Sequence, residues 1–295
     1  MFSMANVLSN ADRTAVVSAL VEGCSIRATA RMTGVARNTV TKLLLDLAKV
    51  CAAYSNEKLV NLPCKRLQVD EIWEFCYAKE KNVPADLKGQ FGYGDVWTFV
   101  AIDADTKLVP SWLVGMRDTG SATELMQDLV SRLSNRVQLT TDGLKAYLSA
   151  VEDAFGGDVD YAQLQKIYGP APDGPERRYS PAECIGAQKI AVTGCPDAKH
   201  VSTSYIERQN LTMRMSMRRF TRLTNGHSKK VENHAAAIAV HFAHYNFCRL
   251  HLSLGKGEDG KGRTPAMAAG VETRKLEIAD LIALLPDSEN NAGSK

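Results

Sequence analysis

The chain has 295 residues, 45% of them hydrophobic, with a formal net charge of +3. Length and composition suit one large domain and a small one around an ordinary apolar core, and exclude a chain whose net charge alone would name a polyanionic partner. Seven cysteines, an odd number with no Cys-x-x-Cys pair, argue against a disulfide framework or a zinc ribbon and fit reduced thiols in a cytoplasmic protein. No signal-peptide pattern opens the chain, and no uncharged apolar run approaches the ~20 residues that span a bilayer.

In chain order, residues 1–54 predict a small helical unit. Ala15, Val16, Ala19 and Leu20 recur at helical spacing between Ala11 and Glu22, and Gly23 closes that helix. Ser25 caps a second helix over Ile26–Met32. Thr33-Gly34-Val35 makes a tight turn, and a third helix starts at Arg37 or Asn38 and runs to about Val50. This is the helix-turn-helix pattern. Its recognition helix presents Arg37, Asn38, Thr39, Thr41 and Lys42, which suit phosphates and base edges; plain three-helix packing is the alternative.

Residues 55–65 are polar, contain a proline and read as a linker. Strands are expected over Arg66–Phe75, Val96–Asp103 and Lys107–Val114, the last two forming a hairpin about the turn Asp103-Ala104-Asp105-Thr106. An amphipathic helix over Ser121–Ser134, capped by Thr119 or Ser121, leads to a fourth strand, Val137–Thr141, and a helix over Leu144–Phe155. Residues 156–202 read as an insertion with possible strands at Tyr161–Tyr168 and Gly186–Thr193, separated by the loop Gly169–Pro175. Ser202 or Thr203 then caps a long basic helix, and another helix spans Lys229–Arg249. The polar segment 271–295 is a C-terminal tail.

Three acids stand in settings suited to metal-dependent phosphoryl chemistry: Asp70 in an apolar strand, Asp142 at a strand end, and Glu207 on the basic helix. Two strand-end carboxylates and one helical carboxylate can converge on a pair of Mg²⁺ ions. Strand alternation puts Asp70 and Glu71 on opposite faces, so only one of them points at a shared metal. Between Lys199 and Lys230 there are eight basic residues: Lys199, Arg208, Arg214, Arg218, Arg219, Arg222, Lys229 and Lys230. Glu207 is the only acid there, a distribution that attracts a polyanion more than the net charge does. Asn210 and Arg214 fall near the Glu207 face of the helix. Asp103 and Asp105 read as turn residues, His234, His241 and His244 as packed histidines rather than zinc ligands, and Trp73, Trp97 and Trp112 as core.

The stretches Val69-Asp70-Glu71-Ile72-Trp73, Thr141-Asp142-Gly143-Leu144-Lys145-Ala146-Tyr147 and Tyr205-Ile206-Glu207-Arg208-Gln209-Asn210-Leu211 carry a family resemblance. So do Arg218–Asn225, Ser228-Lys229-Lys230, His244–His251 and Arg263-Thr264-Pro265-Ala266. Over residues 66–270 the chain resembles the DDE transposases of bacterial insertion sequences, in the insertion-sequence-one-like branch. The resemblance implies an α/β fold: a ribonuclease-H-like mixed-sheet catalytic domain behind the small all-α helix-turn-helix domain. It implies Asp70, Asp142 and Glu207 as catalytic ligands of two Mg²⁺ (or Mn²⁺) ions. DNA would be cleaved at the ends of the element, and the freed 3′-hydroxyl would attack target DNA directly. The implied partners are double-stranded DNA, both terminal inverted repeats and target, and further copies of the chain in a dimer or larger assembly, in the bacterial nucleoid. A DNA-binding regulator that has lost its chemistry, or a nuclease of the same fold that cuts without joining, is the alternative.

Overall fold

The computed structural model describes residues 8–170, 182–221, 225–257 and 260–286. The expected Gly169–Pro175 loop and the C-terminal tail lie partly outside those residues. Two compact units are present. One consists of Val60–Ile72 and Trp97–Gln209; the other gathers Met1–Leu59, Trp73–Val96 and Asn210–Lys295.

The sheet has six strands: β1 (Arg66–Cys76), β2 (Gly94–Asp103), β3 (Ser111–Gly115), β4 (Val137–Asp142), β5 (Val159–Tyr168) and β6 (Cys184–Thr193). They lie in the order β3-β2-β1-β4-β5-β6. β2 and β3 are antiparallel; β4 runs parallel to both β1 and β5. A strand pair at one side, a central β1, and two parallel strands reached by crossover helices is the ribonuclease-H-like arrangement. The crossovers are α4 (Thr119–Ser131) and α5 (Ala146–Phe155), which pack on each other. Leu125, Met126 and Leu129 of α4 and Tyr147, Ala150 and Val151 of α5 are buried. Each such large apolar side chain contributes about 1.5–3 kcal/mol by leaving water.

Several expectations shift for local reasons. β3 begins at Ser111 rather than Lys107, because Lys107 sits at φ 62° in a turn where its amide donates to Asp103 O (2.8 Å), and Pro110 has no amide to give a ladder. The cap of α4 is Asp118, whose Oδ1 accepts from Ser121 N at 2.8 Å. Residues 156–202 are not wholly an insertion. β5 is an inner strand of the sheet, paired to β4 from Val137↔Val159 to Asp142↔Leu164. Only the antiparallel β6 is added beyond it.

In the other unit, α1 (Asn10–Val21), α2 (Ile26–Thr33) and α3 (Arg37–Lys58) follow one another closely. Ser9 and Ser25 cap the first two, and Gly34 at φ 72° supplies the left-handed residue that ends α2. α3 continues eight residues past the expected Val50, so the linker reading fails over 55–58. Its apolar face (Val40, Leu43, Leu44, Leu47, Ala48 and Cys51) persists through five turns, packed on α7 (Val231–Ala243). Tyr54, further along, meets Phe247 edge-on at 5.1 Å. α6 (Ser204–Ser216) is shorter than the basic run suggested: Met217 is extended (φ −131°, ψ 109°), and Arg218–Phe220 form a separate 3₁₀ turn. Short helices α8 (Pro265–Ala268) and α9 (Ile278–Ala283) complete the unit. Among the described residues no helix is long and apolar enough to cross a membrane.

Candidate active site

Parallel register builds the site. Val69 of β1 lies opposite Thr141 of β4, so the next residues, Asp70 and Asp142, end up side by side. Oxygens of Asp70, Glu71 and Asp142 all lie within 4.8 Å of one another. The expectation that Asp70 and Glu71 face apart is therefore incorrect. β4 ends at Asp142, so the described β1–β4 pairing stops at Val69. Beyond that point the longer Glu71 side chain can turn toward the same spot.

The three acids differ in their partners. Asp142 Oδ1 accepts from Leu144 N at 2.9 Å, an Asx turn that fixes the carboxylate and delays α5 to Ala146. Glu71 is buried, with side-chain exposure of 2%. Its Oε1 accepts from Arg117 Nε at 2.8 Å, and its Oε2 from the Tyr147 hydroxyl at 3.0 Å. The Arg117 guanidinium in turn lies 4.7 Å from the Trp97 ring centre. Asp70 is half-buried. Burial first, then the charges of Glu71 and Asp142, push its carboxyl up to about 7. A crowded set of oxygen donors that resists full ionisation alone is the chemistry a divalent cation relieves, so these residues fit such an ion.

Glu207 is not one of the three clustered acids, though its charge also raises the pKa of Asp70. Its Oε1 accepts from Lys166 Nζ of β5 at 2.6 Å and from the Thr203 hydroxyl. The helix that carries it is tied to β1 by buried Gln68, whose Oε1 accepts from Tyr205 N (2.9 Å) and Ile206 N (3.1 Å). Those amides are among the four that an α-helix leaves unpaired at its start. Lys166, Gln68, Arg117 and Tyr147 went unremarked in the sequence. Lys166 is two residues beyond the β5 partner of Asp142, a relation only the register reveals.

The other candidates scatter. Asp103 is a turn residue, accepting from Asp105 N and Thr106 N, and Asp105 pairs with Arg66. His234 and His241 are buried and His244 half-buried; desolvation pushes them down to about 3, 3 and 4. Trp73, Trp97 and Trp112 are half-buried rather than core. Arg208 and Lys230 are exposed, Thr39 and Arg214 half-buried and Asn210 buried. Lys42 is exposed and paired with Asp46. Arg222 lies outside the described residues. Arg37, Asn38, Thr41, Arg218, Arg219 and Lys229, by contrast, line one cleft.

Strand order and acidic cluster define a ribonuclease-H-like protein with carboxylates gathered beside the C-terminal end of β4. No protein-family model matches the chain, and no curated protein matches it. Among solved structures, the Mos1 strand transfer complex is similar over 55% of this chain and 59% of that one, at 12% identity and a TM-score of 0.24. The Mos1 mariner paired end complex with Mn is similar over 54% and 60%, at 11% identity and 0.22. The piggyBac transposase synaptic complex with hairpin DNA is similar over 98% and 80%, at 12% identity and 0.36. The chain thus spans about three-fifths of the first of these. The likenesses are distant, and the functional reading rests on this chain's own residues.

Proposed function

We propose that the chain is a DDE transposase of an insertion sequence, which binds terminal inverted repeats and catalyses cleavage and strand transfer of DNA. The observation that carries this reading is the clustering of Asp70 and Asp142 on adjacent parallel strands, with Glu207 on a helix pinned to the first strand by Gln68. Asp70, Asp142 and Glu207 would hold Mg²⁺ or Mn²⁺. Two such ions, when bound, stabilise the attacking and leaving oxygens of a phosphodiester in an in-line displacement.

The chain's own groups do the rest. Arg117 and Tyr147 hold Glu71 by both oxygens, which keeps it ionised but occupied and leaves Asp70 and Asp142 as the available donors. Asp70 must lose its proton before it can serve as a ligand. Lys166 neutralises Glu207 until a stronger cation competes for that carboxylate. Exposed Arg37, Arg218 and Lys229 supply contacts to the DNA backbone. Joining two ends requires two sites, so the working form is a dimer or larger assembly.

The test is an in vitro reaction with Mg²⁺ and labelled DNA carrying the flanking inverted repeats, comparing the natural chain with Asp142→Ala. Joined 3′-end products from the natural chain alone are expected. Cleavage without joining would make it a nuclease. DNA binding with no chemistry from a folded protein would make it a regulator.

A further inference from the structure

The face of α3 expected to read DNA opens into a cleft of about 810 Å³, walled on its far side by residues 216–219, 225–229 and part of α7. A helix walled in on that side cannot lay the same face into a major groove ~12 Å wide. The cleft has its own chemistry. Arg27, Arg37, Arg218 and Lys229 line it and are exposed, and no aspartate or glutamate lines it among the described residues. Its deeper wall is apolar, with Val21, Leu44 and Val240 buried.

One polar side chain breaks that wall. His241 lines the cleft, is 4% exposed, and has no hydrogen-bond partner at either ring nitrogen. Its contacts are aromatic: Phe242 edge-on with ring centres 5.1 Å apart, and Tyr245 stacked at 6.4 Å. Buried polar groups are nearly always paired, and an exception calls for a reason. His241 belongs to no group of clustered metal-ligating side chains among the described residues. A neutral imidazole offers one donor and one acceptor, which matches the edge of a planar heterocycle. Cations at the mouth, apolar walls and a donor–acceptor pair within together fit a nucleotide. The volume lies within the ~300–1,000 Å³ of small-ligand sites.

We propose that this cleft binds an unpaired DNA nucleotide, with the base beside His241 and its flanking phosphates on Arg37, Arg218 and Lys229. A base inside a duplex is stacked and paired on both sides, and cannot reach His241 without leaving the stack. Duplex DNA can therefore place only its backbone on the mouth of the cleft. The inference takes its polymer, DNA, from the reading above, but not that reading's chemistry.

The experiment measures binding of the full chain to a duplex, and to the same duplex with one extrahelical 2-aminopurine, by anisotropy and by the fluorescence of that base. The natural chain is expected to prefer the unpaired form by about tenfold, the scale of one stacked or hydrogen-bonded base. His241→Phe keeps a ring against Phe242 and Tyr245 but removes both nitrogens. It should cut the preference to about threefold or less while leaving fully paired duplex binding unchanged. Arg218→Gln should weaken both forms and flatten the salt dependence. Should His241→Phe misfold, photocrosslinking of the natural chain to 5-iodouracil at the extrahelical position decides instead, with adducts expected within residues 237–245. Equal affinity for the two duplexes, an unchanged preference in a folded His241→Phe, or crosslinks only outside the cleft would overturn the inference. A chain that selects the unpaired base but joins no DNA would sink the transposase reading alone. One that joins DNA without such selection would sink this one alone.

Discussion

Asp70 is where the electrostatics of the site are most exposed to measurement. With no metal bound, its carboxyl holds a proton up to about pH 7, whereas the unfolded chain releases it near 4. Between those values the folded state binds more protons than the unfolded one, so stability declines as pH rises from about 4 to about 7 and stays reduced above. Asp70→Asn removes the effect. In chelator-treated protein at pH 8 the variant should melt roughly 5–10 °C above the natural chain, with the gap closing toward pH 4. Differential scanning calorimetry across that range checks it, and a constant gap would show that Asp70 is an ordinary solvated acid. The position of Asp70 was legible because its strand is apolar on both sides. The role of Glu71 was not. Strict alternation assumes a strand with neighbours along its whole length, and the described β1–β4 pairing stops at Val69.

At the scale of elements, the site depends on how α6 is attached. Gln68 is 3% exposed and serves two amides at the start of the helix, so it links the strand of Asp70 to the helix of Glu207. Gln68→Leu leaves both amides without their acceptor. It should cost about 1–3 kcal/mol in urea unfolding and lower strand transfer by more than that loss of folded protein accounts for. A variant with full activity and unchanged stability would show that the helix is held by packing alone. Gly23 is a second fixed point. It sits at φ 87°, and a Cβ there would come within 3.2 Å of Met215 O, so Gly23→Ala should cost about 1–3 kcal/mol by the same measurement. The turn glycine was readable from sequence as a helix stop. That a later helix end lies against it was not, because nothing local to Gly23 records a contact nearly two hundred residues away.

For the molecule as a whole, net charge is a poor guide and linkage is a better one. A net charge of +3 on 295 residues gives little long-range pull, and function depends on where opposite charges are kept apart: acids crowded at the sheet, cations gathered around the cleft. The acidic cluster makes the folded state the metal-binding state, since the unfolded chain cannot bring Asp70 and Asp142 within 4.8 Å. A ligand that binds only the folded form stabilises it by about 2.7 kcal/mol at a hundred times its dissociation constant. Mg²⁺ or Mn²⁺ should therefore raise the melting temperature of the natural chain, more at pH 8 than at pH 5.5, because the cation must displace the proton of Asp70. Asp142→Asn should abolish most of the rise while leaving the metal-free melt nearly unchanged, as it removes one donor without removing the Asx turn. A metal-induced shift of equal size in natural chain and variant would place the ion elsewhere, and the acidic cluster would then be a structural feature rather than a metal centre.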